Sequence, residues 1–178
     1  MQAAFDVLLD PPAYNYIRNL QVKLCELFGA KETLKLEPHF TIKYAFGRDD
    51  LSTVESYFDT LVSQTQTFEI TLDSINSFES KVVYMNVGKN EILKKLHLNI
   101  LQALLKDFSV KPSEFEGENY NFHSTLAYKD VSEETIVKIK VYLKNETPNF
   151  TFQVKRVGMY VLLAPDQNWF IYKIGNLA

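Results

Sequence analysis

The sequence is poor in the features that mark secreted and membrane proteins. Its 178 residues include one cysteine, Cys25, so no disulfide can form within the chain and no oxidising compartment is required. No segment approaches about 18 uninterrupted apolar residues, the length that spans a bilayer as a helix. The N-terminal "MQAAFDVLLD" lacks the basic start and long apolar stretch of a signal peptide. We therefore expect a cytoplasmic protein that does not enter a membrane.

An excess of basic residues is also absent. Lysine and arginine number 19 against 22 aspartates and glutamates, which gives a formal net charge of −3. Affinity for long nucleic acids depends largely on counterion release by basic residues. The composition therefore argues against binding of long duplexes, and any nucleic-acid ligand is expected to be short. With 46% hydrophobic and 23% charged residues, the chain is typical of a globular protein of one domain.

Motifs for metals and nucleoside triphosphates are missing as well. No CxxC, HxxxH or HExxH spacing occurs, so the sequence gives no support for a zinc site. No GxxxxGK[ST] loop is present to bind a triphosphate. We expect no metal and no cofactor, and an ATP-dependent ligase is disfavoured.

Histidine is rare, yet two of the three histidines stand in matching settings. "PHFTIKY" contains His39 and Thr41, and "FHSTLAY" contains His123 and Thr125. The two histidines are 84 residues apart, from 39 to 123, and the two Thr-Phe pairs at 67–68 and 151–152 have the same spacing. Because the histidines and the Thr-Phe pairs recur at the same spacing, we infer that the chain contains an internal duplication.

The hydrophobic pattern of each half predicts the same order of elements. Apolar positions suggest strand, helix, strand, helix, strand in both halves. We predict an α+β fold, bilobal and internally duplicated, whose β-α-β-α-β units form antiparallel sheets around a central cleft. The expected organisation is a single domain with two pseudo-symmetric lobes, made of approximate repeats 5–78 and 82–163 and a closing strand 168–175.

Local signals refine this outline. Gly29 is expected to end the first long helix, and Asn90 is expected to cap the third. Ser52 and Glu55 have the spacing of a capping box at the start of the second helix. Residues 151–163, "TFQVKRVGMYVLL", are predicted to form one strand.

The paired motifs suggest chemistry at a phosphodiester. In a strand, residues i and i+2 point the same way, so each motif places an imidazole beside a hydroxyl. If both strands line one cleft, a neutral histidine can take a proton from the attacking water while a protonated one donates to the leaving oxygen. The threonine hydroxyls can donate to the non-bridging oxygens. A bell-shaped pH profile is expected, because histidine titrates near neutrality.

Strand alternation assigns roles to the residues that follow each motif. Lys43 shares the face of His39 and is expected to neutralise phosphate charge, or else to lie solvated at the strand edge. Lys129 has the same parity in the second copy and is expected either to bind substrate or, if the strand ends earlier, to lie on the surface. Tyr44 and Tyr128 are expected to face away from the histidines and to pack in the core.

Two further features leave alternatives open. Trp169 could stack on a base of the substrate or be buried in the core. The polar segment 109–121 before the second motif carries Glu114, Glu116 and Glu118. It is expected to be a solvated loop, and if instead it lines the cleft, its charges would repel long RNA.

"HFT" and "HST", their wide separation and the duplicated α+β order resemble the 2H phosphoesterase superfamily. That superfamily includes the bacterial 2′-5′ RNA ligase-like proteins and the cyclic nucleotide phosphodiesterases of RNA processing. The resemblance implies a groove in which His39, Thr41, His123 and Thr125 bind phosphate and act without a metal. It implies a small nucleotide or RNA end, with a 2′,3′-cyclic phosphate or a 2′-5′ linkage, as substrate.

The sequence also departs from the pattern of that superfamily. Ser124 is polar where members usually carry an apolar residue, and Lys129 follows Tyr128 where some members carry arginine. These departures leave the substrate undefined, and a cyclic dinucleotide or 2′-5′ oligoadenylate is also compatible. A non-catalytic module that binds a nucleotide or RNA terminus is the alternative function, and a scaffold without a site is a third. A monomer is expected.

Overall fold

A computed structural model describes residues 1–178. The chain forms eight strands and four α-helices, with one short 3-10 turn at Glu32–Lys35. The elements are β1 (Gln2–Leu8), α1 (Pro11–Phe28), β2 (His39–Gly47), α2 (Ser52–Gln64), β3 (Phe68–Phe78), β4 (Val82–Val87), α3 (Glu91–Phe108), β5 (His123–Tyr128), α4 (Glu133–Leu143), β6 (Phe150–Val154), β7 (Arg156–Leu162) and β8 (Phe170–Asn176).

The strands form two antiparallel four-stranded sheets, which confirms the predicted α+β fold. The first has the order β2-β1-β7-β8 and the second the order β5-β4-β3-β6. The two orders correspond position by position, with β2 matching β5 and β1 matching β4. Each His-x-Thr motif therefore lies on an edge strand of its own sheet, and β2 and β5 contact each other.

The sheets do not coincide with the sequence repeats. β3 belongs to the first repeat but pairs with β4 and β6 in the second sheet, whereas β7 pairs with β1 and β8 in the first. The predicted single strand over 151–163 is wrong, because the chain passes between the sheets at Lys155. The alternation of residues 151–154 breaks at the two consecutive charged residues Lys155 and Arg156, and this break was the available sign of the crossing.

One hydrophobic core of 35 buried residues draws on both sheets and all four helices. Helix α1 contacts β5 of the second sheet, and α3 contacts β2 of the first, so the helices connect the two motif strands. We propose on this basis that the chain folds as one domain, with lobes defined by the sheets rather than by residues 5–78 and 82–163. None of the helices combines the length and the apolar character needed to cross a bilayer.

Two of the predicted helix signals are confirmed and one is wrong. Gly29 ends α1 in the left-handed region at φ 76°, and the Asn90 side chain caps α3. Ser52 is not an N-cap but the first residue of α2. The carboxylate of Asp50 accepts the backbone N–H of Ser52 at 3.0 Å instead, so the capping function lies two residues earlier than predicted.

Candidate active site

The two histidines and their threonines lie around one cavity of about 870 Å³. His39 and Thr41 come from β2, and His123 and Thr125 come from β5. The cavity lies where the edge strands of the two sheets meet. The structure thus brings together the four residues that sequence reasoning proposed as the catalytic set.

Both imidazole rings are oriented in the same way by the backbone. His39 Nδ1 lies 2.6 Å from the carbonyl oxygen of Glu37, and His123 Nδ1 lies 2.7 Å from that of Asn121. A carbonyl can only accept, so Nδ1 carries the hydrogen in each ring. The Nε2 atom of each ring is left to accept a proton or, when the ring is charged, to donate one.

A β-bulge at the same place in both motif strands reverses the expected side-chain alternation. The pairing of β2 with β1 skips Ile42, and the pairing of β5 with β4 skips Leu126. One extra residue on a strand shifts the residues after it to the other face. Tyr44 and Tyr128 therefore line the cavity and Lys43 does not, so the predicted orientation of all three is wrong.

Tyr44 and Tyr128 are functional candidates that the strand-alternation argument missed. The ring of Tyr44 makes an edge contact with Phe115, at a centroid distance of 4.8 Å. The two tyrosines are 84 residues apart, the same offset as the histidines and threonines. That repeated offset is the signal that could have placed them in the cleft.

Lys43 is buried in an ion pair and does not face the cavity. Its side chain is 1% exposed and that of Glu116 is 0% exposed, with Nζ 2.8 Å from Glu116 Oε2. Burial lowers the pKa of Lys43, against the opposing effect of Glu116. The expected contact with substrate phosphate is therefore replaced by a structural role. The matching position of the second repeat, Ala127, carries no charge.

The segment 109–121 lines the cavity, which is the second of the two alternatives left open for it. Glu116 joins it to β2, because its carboxylate also accepts the backbone N–H of Tyr44 at 2.8 Å. His97 of α3 provides a second connection: its Nδ1 donates to the carbonyl of Ile42 at 2.8 Å, and its Nε2 accepts from Gly117 N–H at 3.2 Å. Burial lowers the pKa of His97, which favours this neutral form.

Lys129 and Trp169, two of the expected substrate contacts, lie outside the cavity. Lys129 follows the end of β5 at φ 66°, and its side chain is 70% exposed, with Nζ 3.9 Å from Glu32. Trp169 precedes β8 and packs against a small buried cluster that contains Leu8 and Tyr160. The structure therefore places Lys129 on the surface and Trp169 against the core, which are the alternatives to substrate binding.

A buried carboxylate that sequence reasoning missed lies next to the first motif. Asp6 is 3% exposed, and its Oδ1 accepts the hydroxyl of Thr41 at 2.6 Å and lies 3.8 Å from His39 Nε2. Burial raises the pKa of Asp6, while His39 and Thr41 oppose that rise. Asp6 is the only charged residue of β1, and the other residues of the strand from Ala3 to Leu8 are all apolar. A charge in such a strand was the available signal.

The second motif has aromatic rings in the corresponding place. Tyr84 pairs with Thr125 across the ladder, just as Asp6 pairs with Thr41. The rings of Tyr84 and Phe78 both lie 4.9 Å from the His123 ring, measured between centroids. Burial lowers the pKa of His123, and the nearby charge of His39 acts in the same direction.

The residues around the cavity include no lysine or arginine. Five glutamates line it instead: Glu32, Glu37, Glu114, Glu116 and Glu118. Four of them have basic partners, which all lie outside the cavity lining: Lys35, Arg18, Lys43 and Lys94. The two imidazoles are therefore the groups of the lining that can carry positive charge near neutral pH.

Comparison with known proteins gives a consistent family and fold. A sequence model of the 2′-5′ RNA ligase superfamily matches residues 9–166. None of the curated protein sequences compared with the chain matches it. Among solved structures, E. coli LigT complexed with NADP⁺ is similar at 18% identity and a TM-score of 0.57, over 99% of this chain and 96% of LigT.

Two further structures have the same fold. TT0787 of Thermus thermophilus has 12% identity and a TM-score of 0.61, over 99% of this chain and 98% of that protein. Kluyveromyces marxianus Usb1 has 11% identity and a TM-score of 0.52, over 99% and 97%. The family match spans most of the sequence, and it confirms the resemblance drawn from the two His-x-Thr motifs. The chain therefore belongs to the 2′-5′ RNA ligase superfamily of 2H phosphoesterases.

Proposed function

We propose that the protein is a metal-independent phosphodiesterase that hydrolyses 2′,3′-cyclic phosphate or 2′-5′ phosphodiester bonds in a small nucleotide or RNA end. Membership of the superfamily supports phosphoesterase activity in general, and the site supports the more specific chemistry. The observation that carries the proposal is the pair of imidazoles in one cavity. In each ring Nδ1 is hydrogen-bonded to a backbone carbonyl, and Nε2 has no hydrogen-bond partner within the protein.

In the proposed reaction, one neutral imidazole takes a proton from water as the water oxygen bonds to phosphorus. The bond from phosphorus to the departing ribose oxygen breaks on the opposite side, and the other imidazole, protonated, gives that oxygen its proton. One water is added across one P–O bond. The two rings end with exchanged protonation states, which solvent restores before the next turnover.

The threonines are proposed to assist in different degrees. The hydroxyl of Thr125 makes no hydrogen bond within the protein and is free to donate to a non-bridging phosphate oxygen. The hydroxyl of Thr41 is already donated to Asp6 at 2.6 Å. Donors aimed at oxygens on which charge develops stabilise the transition state. We infer that Thr125 supplies the larger part of this stabilisation.

The nature of the ligand is supported by the relatives and by the site. E. coli LigT has been solved in complexes with 3′-AMP and with phosphate, at 16% and 17% identity to this chain. A cavity of about 870 Å³ has the size of typical small-molecule sites. Both histidines come from one chain, which supports action as a monomer, and the single cysteine is compatible with action in the cytoplasm.

Glu114, the one glutamate of the cavity lining without a basic partner, predicts discrimination against additional phosphates. We expect kcat/KM for a nucleoside 2′,3′-cyclic phosphate to exceed that for its 5′-phosphorylated form by about five-fold at low salt, because each added charge is repelled. Kinetics with both compounds at low salt and at about 0.5 M salt, where screening is strong, measure the effect. The ratio should approach one at high salt and decrease in Glu114→Gln. A preference for the 5′-phosphorylated substrate would contradict this prediction.

A product assay on 2′,3′-cyclic nucleotides and 2′-5′-linked dinucleotides in excess chelator tests the proposed function. The expected result is turnover of at least one compound class by the wild type and its loss in His39→Ala and His123→Ala. Binding without turnover by the wild type would contradict the proposal and would favour the alternative of a non-catalytic nucleotide-binding module.

A further inference from the structure

We propose that Asp6 divides the catalytic roles between the two histidines: its carboxylate keeps His39 protonated as the general acid, which leaves His123 as the general base. Asp6 is a positioning residue in this scheme, since it acts through His39 and does not line the cavity. The assignment of acid and base rests on the proposed function, whereas the coupling between Asp6 and His39 does not.

The two sheets alone do not distinguish the histidines. Both rings start a motif strand, both donate Nδ1–H to the carbonyl two residues earlier, and both have threonine two residues later. A reaction that needs one ring protonated and the other neutral requires a difference between them. That difference must come from the surroundings of each ring.

The carboxylate of Asp6 supplies the difference on the side of His39. Its Oδ1 lies 3.8 Å from His39 Nε2, which is too long for a hydrogen bond but close enough for charge attraction. The Nε2–H bond of a protonated His39 is therefore free to point toward the cavity. The Thr41 hydroxyl binds the same Oδ1 and stabilises the ionised carboxylate.

Among the carboxylates of the protein, Asp6 alone forms an ion pair with His39. The titratable groups around Asp6 and His39 are Tyr160 from β7, Tyr120 from the segment before β5 and His123 across the cavity. Burial holds the pKa of both tyrosines well above the usual range, so both are neutral. The side chain of Glu37 is bound to Tyr14 and Arg18 instead.

The surroundings of His123 favour the opposite state. Where the first sheet has Asp6, the second has the aromatic ring of Tyr84, and Phe78 covers another side of the imidazole. A ring in apolar surroundings without a counter-charge is more stable when neutral. A neutral Nε2 with a free lone pair is what a general base requires.

In the resulting step, His123 Nε2 accepts a proton from the attacking water while His39 Nε2–H protonates the departing ribose oxygen. Water is therefore expected to approach phosphorus from the side of β5, and the leaving oxygen to lie on the side of β2. The positive charge moves from His39, beside Asp6, to His123 during the reaction.

Proton NMR titration of the histidine rings in Asp6→Asn tests the coupling without needing any substrate. The variant keeps the size of the side chain and an acceptor for Thr41 but removes the charge. We expect the His39 resonance to titrate at lower pH than in the wild type and the His123 resonance to change little. Asp59→Asn, which removes an exposed carboxylate bound to Lys173, is the charge-matched control and should alter neither.

The pH dependence of kcat/KM tests the roles. In a plot of kcat/KM against pH, the rise on the acidic side follows the pKa of the base, which must lose its proton. The fall on the alkaline side follows the pKa of the acid, which must keep its proton. In Asp6→Asn the alkaline limb should move to lower pH, with a loss of about five-fold at pH 8 and less than about two-fold at pH 6. Movement of the acidic limb instead would reverse the assignment and overturn the proposal.

Two safeguards separate this result from misfolding. The melting temperature of Asp6→Asn shows whether the variant folds, since asparagine keeps an acceptor for the Thr41 hydroxyl. If Asp6→Asn does not fold, Thr41→Val provides the test instead. It removes the hydrogen bond from the Thr41 hydroxyl to Asp6 and thereby disfavours the ionised carboxylate. It should move the His39 titration in the same direction by a smaller amount, and an unchanged titration would overturn the proposal.

The outcomes also separate this inference from the proposed function. A shifted His39 titration in a protein that turns over none of the substrates would reject the function and the two roles, yet establish the coupling. Turnover by the wild type with an unshifted His39 titration in Asp6→Asn would retain the function and reject the inference.

Discussion

Replacement of His123 by alanine is expected to lower kcat/KM for the preferred substrate by about 10³-fold, since a positioned acid or base typically contributes 10²–10⁴-fold. The variant loses the group that takes the proton from water, and no other side chain of the second motif can replace it. His39→Ala should lose activity to a similar extent. Steady-state kinetics at the pH optimum, with chelator present, measure both.

His123→Asn is the matched control for packing. Asparagine occupies part of the space between Phe78 and Tyr84 but cannot transfer a proton near neutral pH. It should lose as much activity as His123→Ala while keeping the melting temperature of the wild type. The double variant His39→Ala/His123→Ala should be little worse than either single variant, because the two rings act as a unit. Substantial activity in His123→Asn would contradict the proposed chemistry.

Removal of one partner of the buried ion pair is expected to destabilise the fold strongly. Glu116→Gln leaves the Lys43 ammonium, 1% exposed, without a counter-charge. Such a change typically costs about 3–5 kcal/mol in the free energy of unfolding. It also weakens the bond from Glu116 to the Tyr44 backbone, so the segment 109–121 should loosen over the cavity. Denaturant unfolding measures the stability, and hydrogen exchange measures the loosening.

The double variant Lys43→Met/Glu116→Gln provides the internal control. It removes the unpaired charge and should recover much of the lost stability, because a buried pair contributes little net stability relative to apolar residues. Glu134→Gln breaks an exposed pair with Lys138 on α4 and should have no measurable effect. A loss of less than about 1 kcal/mol in Glu116→Gln would mean that water reaches Lys43, contrary to the structure.

The duplicated motifs made the centre of the site predictable from the sequence. A histidine and a threonine that recur at one offset must occupy equivalent positions in the two halves, and the structure places all four around one cavity. The same offset also relates Tyr44 to Tyr128. For the side chains that follow each motif, the sequence repeat was a better guide than strand alternation. A bulge changes the face on which later side chains lie, but the same bulge occurs in both motif strands, so equivalent residues still share a face.

The errors have local physical causes that the sequence conceals. No glycine or proline marks the bulge at Ile42 or the bulge at Leu126, so the sequence gives no sign that the side chains change face there. This is why Lys43 was expected in the cleft, although it is buried against Glu116, 73 residues away. Such a pairing depends on how the segment 109–121 folds back over β2, which sequence periodicity does not encode.

Asp6 was missed for a different reason. A single acidic residue in a short buried strand has no spacing pattern, and its importance depends on two neighbours from β2 that are 33 and 35 residues later in the chain. Sequence reasoning could define two equivalent histidines but could not tell them apart. The structure distinguishes them through Asp6 on one side and Tyr84 on the other.

A crystal structure of the protein with a nucleoside vanadate, which mimics five-coordinate phosphorus, tests the central claim most directly. We expect the vanadium to lie between β2 and β5, with Nε2 of His39 and Nε2 of His123 each about 3 Å from one of the two opposite apical oxygens. A vanadate that contacts only one of these rings, or that binds outside the cavity, would contradict the claim that two imidazoles act on a single phosphorus atom.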